Sequence, residues 1–491
     1  MNLRTLVSAG MLVAAGMLAS RVLGFLREAM IAANYGTGAD ANMIIGLLLI
    51  PDYITSILIG GALSAVLLPA FAARDAAQRL ALFWQVMAGS VAIFMVLVLL
   101  VYSQADAIIH VLHGDIDEVS SAALFWALFS MPLAGASGVI TAWLQYHSRF
   151  AIPAFANALF NLVIVLTLWL APSGFTVLGL GIFVAGLTRL ALFITGFTRS
   201  PAAQRPSRQP WQVDKRLLSH YAAAVGNSFF SLLPQYIPYL IITLLSGEMA
   251  LFNYAFKLVL LPGMILNTII NVVMLPRFVH LRKEGRDVQE YGRSLRMGTS
   301  LALCITLAMS LASWHIVMLC FGYGEMTEAD INEVTHIFAI GIWALPGMLA
   351  GYLWQQIFFA CERPAVPFKV GVVQAIASVP LIWLGQTLYA EAGVMMAYIM
   401  LQVIPVLAFS VMAARQQLIS PKEQYKGSFG MLVVPVALFI PLAALFSGFH
   451  LSPLPGLLLA ILIGSLILLA ACASDRDIRQ WTTAMAMKYR R

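Results

Sequence analysis

Arg21, Arg27, Arg189 and Lys257 lie inside long apolar segments of the chain rather than in any loop. A Lys or Arg at the centre of a membrane-spanning helix costs about 2.5–3.5 kcal/mol on insertion scales, so such residues usually face a cavity, a partner or a substrate pathway. Arginine grips phosphate or carboxylate oxygens through paired hydrogen bonds, and lysine adds a compact point charge. The chemistry these residues offer is anion binding within a membrane. Apart from Glu28 and Asp52, no carboxylate falls well inside an apolar segment, so two of the four cations at most are neutralised there. A cationic cavity follows if they point inward.

Each residue also has a plainer reading. Arg27 has Glu28 beside it as a local ion partner, or it snorkels outward. Arg21, six residues earlier on the same helix, has Asp52 as a candidate salt-bridge partner. Lys257, in Asn253-Tyr254-Ala255-Phe256-Lys257, is close enough to the outer surface to snorkel. Arg189 is long enough to reach toward the cytoplasmic face. Asp52 follows Pro51, where the interrupted backbone pattern suits a cavity wall, and its role there is to orient an arginine. With a helical rise of ~1.5 Å per residue, Arg27 and Lys257 lie about 10 Å below the outer ends of their spans, Asp52 about 15 Å, and Arg21 and Arg189 about 20 Å.

The elements that must position these groups are transmembrane helices. Of 491 residues, 61% are hydrophobic and 10% charged, a composition foreign to a water-soluble domain. Apolar runs of spanning length, about 20 residues, recur at 8–33, 42–72, 80–102, 121–146, 153–171, 175–197, 218–246, 250–276, 297–321, 334–360, 366–388, 392–413, 430–448 and 454–473. The expectation is an all-α polytopic protein of fourteen helices. Connections near 35–41, 103–120, 172–174, 247–249, 322–333, 389–391 and 449–453 carry no Lys or Arg, while the alternate connections and both ends hold all the remaining cations. Positive charge marks the cytoplasmic side, so both termini are expected there. The net charge of +7 is thus an orientation signal. Bases in short juxtamembrane loops meet anionic lipid headgroups, and no nucleic-acid partner is indicated.

The chain also repeats itself. Leu67-Leu68-Pro69-Ala70-Phe71 ends the second segment and Met274-Leu275-Pro276-Arg277-Phe278 the eighth. Arg149-Phe150-Ala151-Ile152-Pro153 opens the fifth and Arg363-Pro364-Ala365-Val366-Pro367 the eleventh. The unit is six helices, an even number, so the copies share one orientation, with substrate handled at their interface, as in transporters. The expected division is a first lobe over 1–198, a basic cytoplasmic linker over 199–217, a second lobe over 218–413, a final helix pair within 414–473 and a cytoplasmic tail over 474–491. Gly24, Gly60-Gly61, Pro132, Pro234, Pro238, Pro262-Gly263, Pro346-Gly347 and Pro405 are positions where such helices bend or break.

Ser20-Arg21-Val22-Leu23-Gly24-Phe25-Leu26-Arg27-Glu28, Gly61-Ala62-Leu63-Ser64 leading to Pro69, Arg149 to Phe155, and the stretch Lys257 to Pro276 resemble the MurJ/MviN family over the whole length of the chain. That family sits with the multidrug, oligosaccharidyl-lipid and polysaccharide exporters. The resemblance implies two six-helix lobes in a V and two further helices bordering a lipid-tail groove. It implies a flippase that carries an undecaprenyl-diphosphate-linked saccharide, lipid II, from the inner to the outer leaflet of the bacterial inner membrane by alternating access. Arg21 and Arg27 match the family's two first-helix arginines, and Lys257 stands where the family usually has an arginine. The implied partners are the polyprenyl-diphosphate-linked saccharide, membrane lipids and other cell-envelope biosynthesis proteins. Three departures keep a second substrate open, a lipid-linked exopolysaccharide or O-antigen repeat unit in a Wzx-like role. The stretch Pro51 to Ser56 lacks a further arginine, an acid of the family is Asn42 here, and a glutamate is Gly60.

Other classes fit less well. A membrane glycosyltransferase needs catalytic carboxylates on sizeable external loops, which the sequence lacks. A multidrug antiporter favours buried acids, against this positive interior. Cys304, Cys320, Cys361 and Cys472 have unrelated spacings, so neither a disulfide framework nor a metal site is indicated. No catalytic residue and no cofactor is expected.

Overall fold

A computed structural model describes residues 3–60, 62–114, 118–171, 174–198, 210–283, 287–418, 428–447 and 451–474. Every element among them is helical. Among the described residues, eleven helical segments are long and apolar enough to cross a membrane. The chain divides into two compact units: residues 1–232 with 247–250 and 323–326, and the remainder through 491.

The first unit contains α1 (Leu3–Tyr35), α2 (Ala39–Leu58), α3 (Ala62–Ala72), α4 (Ala76–Tyr102), α5 (Ala105–His113), α6 (Glu118–Tyr146), α7 (Ala151–Leu170), α8 (Phe175–Thr198) and the start of α9 (Lys215–Leu245). The apolar run at 42–72 is therefore two helices, broken after Leu58. The freed groups are partly met: the Ile59 and Gly60 amides donate to Thr55 O and Ser56 O at 2.8 and 3.0 Å, and the Tyr221 hydroxyl donates to Leu58 O at 2.9 Å. Asp75 caps α4 by accepting from the Gln78 amide at 2.8 Å. Below the break, an aromatic core of Phe71, Phe83, Trp143 and Phe197 locks α3, α4, α6 and α8 together, with Phe83 stacked on Phe197 at 4.8 Å.

Residues 199–209 of the expected linker and all of the tail beyond Ser474 lie outside the described residues. The end of the linker is docked on the first unit. Gln85 donates to Pro210 O at 3.3 Å and accepts from the Gln212 amide at 2.7 Å, while Arg74 donates to Gln212 O at 3.0 Å.

At the other end of the unit, Asn42 explains one departure from the family pattern. Its buried side chain accepts from the Ala250 amide at 2.7 Å and donates to Gly247 O. An aspartate accepts only, so the carbonyl of Gly247 selects the amide. Asn42→Asp is expected to lower stability by about 1–3 kcal/mol, the cost of a buried polar group left without its partner, read as a fall in melting temperature. Unchanged melting would show that this contact holds nothing.

The second unit continues α9 and adds α10 (Met249–Ile269), α11 (Leu275–Lys283), α12 (Asp287–Leu311), α13 (Ser313–Phe321), α14 (Glu328–Gly341), α15 (Leu345–Ala360) and α16 (Ala365–Arg415), then two helices over Ser428–Ser447 and Pro453–Ser474. A π-helical turn over Ile270–Met274 joins α10 to α11, presenting Asn271, whose carbonyl oxygen accepts from Gln356 at 2.6 Å. The Thr327 and Asp330 side chains form a reciprocal cap at the start of α14. Helix α16 turns sharply at Tyr389 and Ala390 (φ 49°), and Gly385 and Gly393 face each other across the turn. The final helix pair packs on α12 through Leu303, Leu307, Phe446, Ile463 and Ile467.

Candidate functional site

The structure places Arg21, Arg27, Asp52 and Arg189 in the first unit and Lys257 in the second. Arg21 and Arg27 both stand on α1, where Arg21 is half-buried. The Arg27 guanidinium donates to Glu28 at 2.7 Å and to the Asn161 side chain of α7 at 3.1 Å. These side chains are largely closed to solvent, at 16% exposure for Arg27 and 5% for Glu28. Asn161 is itself oriented, donating to Ser20 O at 3.2 Å and to Asn157 O at 3.3 Å. Arg27 is thus fixed by one carboxylate and one carbonyl, with hydrogen-bonding capacity left on a five-donor fork.

Arg189 has moved furthest from its simplest reading. From α8 its guanidinium lies over the Phe160 ring of α7, 4.7 Å from the centroid, and its Nε is buried without a hydrogen-bond partner. It lines a cavity of about 370 Å³ that Asp52 also lines. The other walls come from α2, α3, α6, α7 and α8, through Thr55, Ser56, Ser64, Ser137, Thr141, Gln145, Asn157 and Phe193. The α2–α3 break opens onto this space, since Ile59 and Gly60 are among its walls. A helix interruption in hydrocarbon is tolerated where it is buried in protein or lines a polar cavity, and this one does the latter.

Asp52 and Arg189 are therefore brought into one site, and Arg27 is brought to Glu28 and Asn161. Lys257, half-buried on α10, follows Asn253, whose carbonyl oxygen accepts from the Tyr239 hydroxyl at 3.0 Å. Sequence reasoning missed Asn157, Asn161, Phe160 and the hydroxyls of α6. The signals were available as i, i+4 pairs, Asn157 with Asn161 and Ser137 with Thr141, polar residues one turn apart in otherwise apolar helices. Arrayed in this way, these residues of the first unit offer guanidinium donors, the carboxylates of Glu28 and Asp52, and a polar wall, which is equipment for holding a polar anion. Glu28 is committed to its ion pair with Arg27, and Asp52 shares its cavity with Arg189.

Comparison with known proteins gives this arrangement a lineage. A protein from Rhizobium tropici described as a probable lipid II flippase MurJ is 24% identical over 410 residues, covering 77% of this chain and 75% of the relative. The fold matches a solved structure of lipid II flippase MurJ in an inward closed conformation, with a TM-score of 0.81 at 17% identity over 94% of this chain and 98% of that one. It also matches an inward-facing multidrug resistance MATE family transporter of the MOP superfamily, with a TM-score of 0.67 at 12% identity over 82% and 96%. The family profile described as lipid II flippase MurJ matches residues 31–464, and with intramembrane arginines on a fold of this kind, the chain belongs to the MurJ family of lipid II flippases.

Proposed function

We propose that this chain translocates lipid II, an undecaprenyl-diphosphate-linked saccharide, from the inner to the outer leaflet of the bacterial inner membrane by alternating access. It acts as a transporter, and no bond of the cargo is broken. The observation that carries the reading is Arg27, held inside an apolar helix by Glu28 and Asn161 on the same element as Arg21. A diphosphate carries about two charges and several acceptor oxygens, which guanidinium groups bind in pairs. Arg21 and Arg27 are the diphosphate contacts, Lys257 adds a point charge, and Asp52 and Arg189 complete the polar surface. The polyprenyl tail stays in lipid, bordered by the helices over Ser428–Ser447 and Pro453–Ser474.

The same reading gives the chain fourteen spans with both termini cytoplasmic. Its support is that each of the fourteen apolar runs carries helix, and that Lys and Arg alternate between connections. The two six-helix lobes are residues 1–198 and 218–413, joined by the basic linker. The arginine absent from Pro51–Ser56 has a substitute in space, because Thr55 and Ser56 line the same cavity as Arg189 of α8. That compensation favours lipid II over the exopolysaccharide or O-antigen repeat unit that the departures in sequence leave open.

Expression in a bacterium depleted of its own lipid II flippase tests the substrate. Restored growth and cell shape are expected. Failure to restore growth despite normal membrane insertion would replace lipid II with the exopolysaccharide repeat unit as cargo.

A further inference from the structure

We propose that a second cavity of the first unit, walled by α3, α4, the docked end of the linker and the start of α9, seats one acyl chain of an anionic phospholipid, whose headgroup meets the cations at the linker end. The cavity holds about 240 Å³ and shares no wall residue with the cavity of Asp52 and Arg189.

Its walls suit a hydrocarbon chain. Leu63 and Leu67 of α3, Val86 and Ile93 of α4, and Leu217 and Leu218 of α9 supply apolar surface. The polar side chains among them are engaged elsewhere. Gln85 donates to Pro210 O and accepts from the Gln212 amide, the Tyr221 hydroxyl donates to Leu58 O, and the Ser90 hydroxyl sits against Gly135 of α6. Gly89 keeps the middle of the α4 wall open, since a Cβ there would meet no neighbouring side chain or helix within 4 Å. Depth matches one leaflet. At ~1.5 Å per residue, Gln85 and Ile93 lie about 8 and 20 Å along α4 from residue 80, where its apolar run begins, and one leaflet's hydrocarbon is about 15 Å deep. Ile93 and Leu218, both exposed, mark where a chain enters. At the linker end stands Trp211, 73% exposed, a side chain that collects at headgroup level.

Charge decides the headgroup. Residues 70–80 and 210–221 hold Arg74, Arg79, Lys215 and Arg216 against Asp75 and Asp214. Arg74 donates to Ala70 O and Gln212 O, both at 3.0 Å, and Arg79 to Phe71 O at 2.9 Å and Arg74 O at 2.8 Å. These acceptors are neutral carbonyls, so the bonds aim the guanidinium groups without cancelling their charge. Gln212 stands between Trp211 and Val213, which both line the cavity, and this places Arg74 at its edge. Lys215 and Leu218 are three apart on α9, hence on one face, with the lysine toward the linker. The two aspartates cap helices, and an excess of positive charge remains. Each cation near the membrane surface is worth about fivefold in affinity for an anionic headgroup, and a zwitterionic one gains little.

Native mass spectrometry of the full chain in detergent, titrated with phosphatidylglycerol or with phosphatidylcholine of the same acyl chains, tests the site. The first phosphatidylglycerol is expected to bind about 5- to 25-fold more tightly than phosphatidylcholine, the worth of one or two cations. Gly89→Leu, which fills the open space, should cut that affinity about tenfold or more, the worth of two or more buried methylenes, and Gly89→Ala should fall between. Melting of Gly89→Leu should match or exceed the wild type, because glycine is unfavourable inside a helix. Lys215→Gln with Arg216→Gln, at exposed positions, reads the site independently and should bring the two lipids severalfold closer while a chain still seats. Equal wild-type affinity for the two lipids would overturn the proposal, as would a Gly89→Leu protein that takes up its first phosphatidylglycerol like the wild type. Undecaprenyl phosphate that displaces phosphatidylglycerol at equal concentration, with the same sensitivity to Gly89→Leu, would hand the cavity to a polyprenyl tail and overturn it too.

Discussion

Alanine at Arg27 is expected to abolish flipping and to destabilise the first unit, and removal of Glu28 in the same chain should restore stability without restoring transport. Arg27 and Glu28 are bonded at 2.7 Å with little solvent access. Truncating one member of such a pair strands the other charge, at a cost of about 3–5 kcal/mol. The double variant Arg27→Ala with Glu28→Ala removes both charges, so most of that cost disappears. Transport should behave differently, because the anion loses its guanidinium in both variants. With about 1.5–3 kcal/mol per hydrogen bond to a charged group, two such bonds correspond to a loss of about 100-fold or more in flipping rate. Thermal melting of purified protein and a flipping assay in reconstituted vesicles give the two readouts. A double variant that flips at the wild-type rate would reduce Arg27 to a structural partner of Glu28.

Gly393→Val is expected to be the most damaging single change in the second unit. A Cβ at Gly393 would sit 2.0 Å from Gly385 O, and one at Gly385 would sit 2.3 Å from Gly393 O. Both obstacles are backbone, so neither can rotate away. The two arms of α16 must separate, and the cost exceeds the usual ~1–3 kcal/mol of overpacking. The turn between the arms predicts a change of the opposite sign. Ala390 holds φ 49° and ψ −139°, a region tolerated mainly by glycine, so Ala390→Gly should stabilise by about 1 kcal/mol. Melting curves of both variants decide the matter, and a Gly393→Val protein that melts with the wild type would refute the close approach.

The sequence disclosed the helices well because lipid imposes one solution on an apolar backbone. The connection expected at 389–391 coincides with the non-helical dihedrals of Tyr389 and Ala390, and Gly60 was legible as a break point. Partners were harder to read. Glu28 was visible beside Arg27, but Asn161 lies on another helix and entered only through packing. Arg189 shows why. In a soluble helix the apolar stripe reveals which side faces inward, whereas α8 is apolar all round, so its sequence carries no mark of the side turned to lipid. Packing against α6 and α7 settles the rotation, and only then does Arg189 share a cavity with Asp52.

The break between α2 and α3 has an electrical consequence. Ile59 and Gly60 at the break line a cavity with Asp52, Ser56, Ser64, Thr141, Asn157 and Arg189, a lining far more polarisable than the hydrocarbon a continuous apolar helix would meet. A transmembrane voltage is worth about 2.3 kcal/mol per charge for each 100 mV, so a break that places Asp52 and Arg189 around one polar cavity makes the charge of whatever enters it a quantity the voltage acts on.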